Sequence, residues 1–414
     1  MQQLAVGALL TAVALALYGD SLGGWFLADD FFAVERVYLW WSQDPGQFLR
    51  MFVAGSPEPG GFHWPLSVLS WGLDYLAWGL NPIGYRITNL LIHVGCGLLI
   101  FRLAWRWTGG RRDISWLAAL LFLVCPLHTE SVAWIAARDE TLAVLFFLAV
   151  LNTVPVTGAA GMTLGIFATM FAFWCKESAL MLPPVVTLYY LLVAGSSPPK
   201  DRIRKAIAGS LWIWIVTVCY MANRYWVLGK FGGTYPAFEP PDYLTLEYLG
   251  SRLTYWLLLF SPLEGETFPA WLRWMAGLGT LALVASSFAA RSLLKPGIVL
   301  LLACWTLLAP MPYLWENVDP HDLRHGRHLY ICYAPFCILL AIGTTHIVQR
   351  VLPGSGAMRG FAAGALVILL SCATWLTKEA HVRAGVLSRK FTDEIHSVMA
   401  IEQDRPRTER PDRV

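Results

Sequence analysis

Residues 114–156 read ISWLAALLFLVCPLHTESVAWIAARDETLAVLFFLAVLNTVPV. Two apolar runs, 114–128 and 139–156, flank a short charged turn. About 20 apolar residues cross a bilayer as an α-helix, so the stretch reads as two spans of a membrane protein joined on one side. The pattern recurs along the chain, with apolar runs at 3–19, 84–105, 161–175, 179–195, 206–222, 270–290, 296–312, 329–347 and 360–376. The expected fold is an all-α polytopic membrane protein of about 11 transmembrane helices, with extracytoplasmic loop and interfacial helices. The stretch 248–262 is apolar but short and carries Arg252, so it is read as re-entrant or interfacial.

Composition agrees. Of 414 residues, 56% are hydrophobic and 14% are charged, against roughly 45–50% and about 25% in soluble domains. A soluble protein this apolar lacks the polar surface to cover its core. The net charge of +3 implies no bulk polyanion partner such as nucleic acid. The 20 Trp and 15 Tyr suit many membrane–water interfaces. The 8 Cys lie in or beside apolar runs without zinc-ligand spacing, which reads as small core residues.

Basic loop residues set the orientation. Arg102, Arg106, Arg111, Arg112, Lys200, Arg202, Arg204, Lys205, Arg291, Lys295, Arg350 and Arg359 fall in loops on one side, with only Asp113 and Asp201 among them. Those loops are expected to be cytoplasmic. The N-terminus then lies inside and the C-terminus outside, as in a bacterial inner membrane. The first run has no basic n-region and no clear small-x-small cleavage site, so it reads as a retained span.

Nearly all other carboxylates fall on the outer side, in segments 20–83, 223–269, 313–328 and beyond 377. A transporter is expected to place ionisable groups at mid-bilayer. Charge gathered at one interface points instead to chemistry at the outer surface. Asp29 and Asp30 stand side by side in an aromatic setting, FLADDFF. Low dielectric and a like-charged neighbour raise a carboxylate pKa, which suits a general base. A solvated turn or helix cap accounts for the pair equally.

Trp64, Trp71 and Trp78 recur every seven residues and predict one face of an interfacial helix. His63 and Asp74 are site-lining candidates beside that stripe. His128 and Glu130 close one span, and Arg138, Asp139 and Glu140 open the next. The acidic pair complements the helix dipole, but Arg138 opposes it and needs an anion, either a protein carboxylate or a bound phosphate. Lys176 and Glu177 sit between two apolar runs. His321, Arg324, His325, Arg327 and His328 crowd a later loop, in which Arg327 is placed to clamp a phosphate. The His spacing does not favour a metal site, and no ligand motif supports a divalent cation or any required cofactor. In the tail, Leu387, Phe391, Ile395 and Val398 predict a surface helix over 377–401, and 402–414 reads as a disordered tail.

FLADDFF, WPLSVLSWGLDYLAWGLNPIGYRITNLLIH, PLHTESVAWIAARDETLAVLFF, CKESALMLP and RHLYICYAPF occur in that order. In these blocks the chain resembles the GT-C superfamily of membrane glycosyltransferases. The similarity is to the transmembrane O-mannosyltransferases that carry C-terminal tetratricopeptide repeats, and to their bacterial relatives. It covers roughly residues 1–376, the expected catalytic domain. No tetratricopeptide repeat occurs within the 414 residues, and the last block has RHLY where an Arg-Tyr pair is commoner.

The resemblance implies transfer of a sugar, plausibly a mannose-like hexose, from a polyprenyl-phosphate donor. The acceptor is a hydroxyl on a protein Ser/Thr, a lipid or a glycan, and the anomeric centre inverts. It implies Asp29 as preferred base with Asp30 as neighbour or substitute. It implies His128, Glu130, Arg138, Lys176, Glu177 and Arg327 around the donor phosphate and sugar. Read from the residues alone, His328 joins His63 and Asp74 as a site-lining candidate. A lipid-linked-sugar flippase and a non-catalytic membrane scaffold are the competing expectations.

Overall fold

A computed structural model of the protein describes residues 2–54, 63–194, 198–229, 231, 257–290, 293–313, 325–354 and 356–404. The described residues form helices and turns, without strands. The first membrane helix is α1 (Gln2–Tyr18). In the loop that follows it lie α2 (Asp29–Gln43), a single turn Gln47–Arg50, and α3 (Pro65–Trp78). Next come α4 (Pro82–Trp107), α5 (Arg112–Leu123), the short α6 (Thr129–Ala133), α7 (Arg138–Thr153) and α8 (Gly158–Cys175). Then follow α9 (Leu182–Leu192), α10 (Pro199–Leu228), α11 (Ala270–Ala289), α12 (Pro296–Leu308), α13 (Tyr330–Val351) and α14 (Gly356–Asp404).

Every expected span falls on one of these helices, but not every helix is long enough to cross. Among the described residues, 8 helices have the length and apolarity of a span, and α5 with the turn and helix 126–133, bent by 51°, makes a ninth. Helix α7 has 16 residues, and its first turn is Arg138, Asp139 and Glu140, so its apolar part is short. Helix α9 has 11 residues and is preceded by a 3-10 turn, Glu177–Met181. In both cases length is lost at the end that carries polar groups. Most of 248–262 lies outside the described residues; 257–260 is helical.

Proline and asparagine set the boundaries. Pro65, Pro82, Pro199 and Pro296 open their helices, where the missing N–H is not needed. The Asn81 side chain caps α4 by accepting from Ile83 N at 3.1 Å. The core centres on α13, which packs against α5, α11 and α12, while α4 packs against α1, α5 and α7. Helices α11 and α13 touch backbone to backbone: a Cβ at Gly343 would stand 1.9 Å from Leu283 O. Small residues allow such close crossings in membranes.

Two expectations change. The three Trp of 64–78 do not share one environment: Trp71 is buried, Trp64 is half-buried and Trp78 is 44% exposed. The outward side of α3 carries Leu73 and Leu76 instead. The last span and the surface helix expected after it are one continuous helix, α14, of 49 residues that includes 402–404. Its predicted apolar positions Leu387 and Phe391 face outward, each 65% exposed. The inward face carries small and polar residues because it lies against backbone. Residues 405–414 lie outside the described residues.

Candidate active site

The hub is the segment 126–140: two 3-10 turns and a short helix after α5, with the first turn of α7. It gathers the candidate residues from three other parts of the chain. The acidic pair arrives first. Asp30 is fully buried; its Oδ1 accepts Ala136 N at 2.8 Å and its Oδ2 accepts Leu27 N at 2.9 Å. Asp29 is exposed. Ala28, just before it, has φ 43° and ψ −114°, a strained backbone for an L-residue. Such strain persists only where the surroundings over-determine it, and it clusters at functional sites.

Burial pushes the Asp30 carboxyl up to about 7, against the opposing pull of its two backbone N–H donors and Arg86. In the unfolded chain the same carboxyl ionises near 3.8. Between those values the folded protein holds a proton that the unfolded chain has released. The stability contributed by this group is full below about pH 4 and falls as the pH rises towards about 7. Asp30→Asn should therefore flatten the pH dependence of the unfolding midpoint in detergent across that window. A slope equal to the parent's would mean that Asp30 is ionised throughout.

Arg138 is fully buried, and every nitrogen of its guanidinium has a protein partner. Nη2 meets Asp74 Oδ2 at 2.5 Å and donates to Tyr85 O at 2.8 Å; Nε donates to Asn89 Oδ1 at 2.6 Å; Nη1 reaches Ser70 O at 3.3 Å. The anion that its helix position needs is supplied here by the Asp74 carboxylate. One residue on, Asp139 accepts from Lys176 Nζ at 2.5 Å. The Lys176 ammonium also lies over the Trp64 ring, 3.9 Å from its centroid. Burial works against this charge, but Asp139, Glu140 and Glu177 outweigh it and hold the ammonium above its usual pKa.

Glu177 bridges two partners. It accepts from Trp64 Nε1 at 2.6 Å and pairs with Arg224 Nη2 at 2.8 Å. His63 shares a hydrogen bond with Asn223 at 3.2 Å, and burial pushes its pKa down to about 4, so it is neutral. On the other side of the hub, Glu130 accepts from both the backbone and the guanidinium of Arg327. That guanidinium lies 5.0 Å over Trp134, whose Nε1 donates to Leu27 O at 3.2 Å. The acidic turn and Arg327 are thus linked through one indole.

Two expected residues sit deeper. His128 is fully buried, with Nδ1 2.8 Å from Phe122 O and its ring 4.4 Å from that of Tyr330. That is a packing position within the aromatic core. His328 is buried against Tyr313, ring centroids 4.2 Å apart. His321 and Arg324 lie outside the described residues. The accessible members of the network are Asp29, which is exposed, and Glu130, Glu177, Arg327, Trp64 and Trp134, which are half-buried. The described residues hold no group of three or more His, Cys, Asp or Glu able to ligate a metal.

Sequence reasoning missed Asp139, Arg224, Arg86, Asn89 and Trp134 as members. Asp139 was already explained by the helix dipole. Arg86 had a signal: a cation near the start of an apolar span is costly and marks a functional place. Its guanidinium donates to Gly24 O, to Trp25 O at 2.5 Å and to Ala133 O at 3.2 Å, tying the acidic loop to the hub.

The apo structure of ArnT from Cupriavidus metallidurans resembles this chain with a TM-score of 0.50, covering 92% of this chain and 74% of that one at 15% identity. The fold is that of ArnT. By sequence the chain resembles the TMTC protein O-mannosyl-transferases. Drosophila melanogaster Tmtc3 is 26% identical over 393 residues, 74% of this chain and 41% of the relative. Mus musculus TMTC1 is 32% identical over 148 residues, 34% of this chain and 16% of the relative. The chain thus spans less than half the length of these relatives. No family model matches.

Proposed function

We propose that the protein is an inverting glycosyltransferase, with residues 1–376 as its catalytic domain. It moves a sugar from a polyprenyl-phosphate-linked donor to an acceptor hydroxyl at the outer face of the membrane. A mannose-like hexose fits the resemblance to the O-mannosyl-transferases. The acceptor is a protein Ser/Thr, a lipid or a glycan.

The observation that carries this reading is the division of labour within the acidic pair. Asp30 is committed to two backbone N–H groups, while Asp29 is exposed at the end of a strained turn. Asp29 is therefore the base. It takes the proton from the acceptor hydroxyl as that oxygen bonds to the anomeric carbon. The bond from that carbon to the phosphate oxygen breaks, and polyprenyl phosphate leaves with the electron pair. Arg327, half-buried beside Trp134 and Glu130, is the cation placed to meet the developing phosphate charge. Lys176, Glu177 and Arg138 act around the donor through the elements they join.

The test is mass spectrometry of products from the purified protein, a polyprenyl-phosphate hexose and separate peptide, lipid and glycan acceptors. A hexose added to one acceptor, with release of polyprenyl phosphate, is the expected result. Donor left intact with all three acceptors would remove the reading.

The orientation that this function needs follows from the basic loops, with the N-terminus cytoplasmic and the site and C-terminus outside, in a bacterial-type inner membrane. Single cysteines introduced at Gln47 or Gln43 should react with an impermeant thiol reagent from outside intact cells, and cysteines at Arg111 or Arg202 should not. Labelling in the reverse pattern would invert the topology and place the site on the wrong side.

A further inference from the structure

Residues Gly24–Leu27 join the turn after α1 to the acidic pair, and they have no regular secondary structure. Buried backbone groups need partners, and here the partners come from three separate elements. Arg86 of α4 holds Gly24 O and Trp25 O. Trp134 of the hub holds Leu27 O. The third element is the outer part of α14. Gly385 O accepts Trp25 N at 3.4 Å, and Ser388 Oγ donates to Phe26 O at 2.7 Å. Two turns earlier on the same helix, buried Lys378 donates to Leu17 O and pairs with Asp20 at 2.5 Å. Positions 378, 385 and 388 follow helical spacing, so one face of α14 runs along the loop from its start to Phe26.

The contact is close enough to constrain sequence. A Cβ at Gly385 would stand 3.0 Å from Gly24 Cα and 3.3 Å from Trp25 N. Both neighbours are backbone and cannot rotate away. The helix meets the loop main chain to main chain, four residues before the strained Ala28. We propose that Gly385 and Ser388, with Lys378 as anchor, are positioning residues that clamp the loop Gly24–Leu27 and so fix the direction of Asp29. The proposal rests on the reading of Asp29 as base. It gives the extramembrane half of α14 a part in turnover, although none of its residues needs to touch substrate.

The test uses the full chain with Gly385→Val, Ser388→Ala and Ser388→Thr, each checked for a parental unfolding midpoint. Misplacing a reacting group by an ångström costs rate more than binding. Gly385→Val should lower kcat by about tenfold and Ser388→Ala by about threefold, with the donor KM within about twofold of the parent. Ser388→Thr, which keeps the hydroxyl, should restore kcat. A second readout is independent of activity. In a background with Cys219, Cys304 and Cys372 replaced by Ser, Asp29→Cys supplies a thiol at the turn. Adding Gly385→Val should change its rate of alkylation by about tenfold, because the clamp is released. Parental kcat in folded Gly385→Val and Ser388→Ala overturns the proposal, as does an unchanged alkylation rate. Transfer that survives Asp29→Asn overturns the base assignment instead, and alkylation then judges the clamp alone.

Discussion

Asp29→Asn should reduce sugar transfer by about 10²–10⁴-fold, the range ascribed to a positioned general base. The unfolding midpoint should stay at the parent's value. The amide keeps the size of the carboxylate, and Asp29 is exposed, so folding loses little. The companion variant Asp30→Asn separates the two roles. Asp30 accepts two backbone N–H bonds that join the acidic turn to the hub. An amide oxygen can keep one of them but turns its NH2 towards the other donor. Transfer should fall through displacement of Asp29, and stability should change as well. Full activity in Asp29→Asn would remove Asp29 as the base, whatever the behaviour of its neighbour.

The second large effect is structural. Arg138→Ala should destabilise the protein by about 3–5 kcal/mol, the usual consequence of leaving one member of a buried ion pair alone. Asp74 is 6% exposed and would lose its counter-ion, while Asn89, Tyr85 and Ser70 would each lose a donor. Replacing both partners, Arg138→Met with Asp74→Leu, should recover part of that loss, since a buried pair is often no more stabilising than apolar groups of similar size. Thermal unfolding in detergent measures both. An Arg138→Ala protein that melts like the parent yet binds donor lipid poorly would return Arg138 to the phosphate.

Much of this arrangement was legible in the chain, and the reasons differ by level. Apolar runs and basic loops speak of helices directly, because a bilayer leaves the backbone no other way to satisfy its hydrogen bonds. Asp29 and Asp30 stood out because adjacent carboxylates are rare among aromatics. Their separate fates were not legible. One turn of backbone, set by Ala28, sends one side chain inward and the other out. Likewise Arg138 announced that it needed an anion, but the anion lies 64 residues away on α3. Sequence spacing carries no information about that meeting. The apolar spacing of the tail gives a helix but not its contacts: the face with Gly385 and Ser388 lies against Gly24–Leu27, since only small residues let two main chains touch.

The four ion pairs around the hub, Asp74–Arg138, Asp139–Lys176, Glu177–Arg224 and Glu130–Arg327, join acid to base one for one at contact distance. Their side chains are between 0% and 20% exposed. Dissolved ions screen over about 8 Å at physiological strength, and they act on charges that face water far more than on enclosed ones. Changes in salt outside the membrane therefore have little hold on the architecture of this end of the protein. The frame stays constant between dilute and concentrated media, and any dependence of turnover on ionic strength reports the arrival of a charged ligand and not a loosening of the frame.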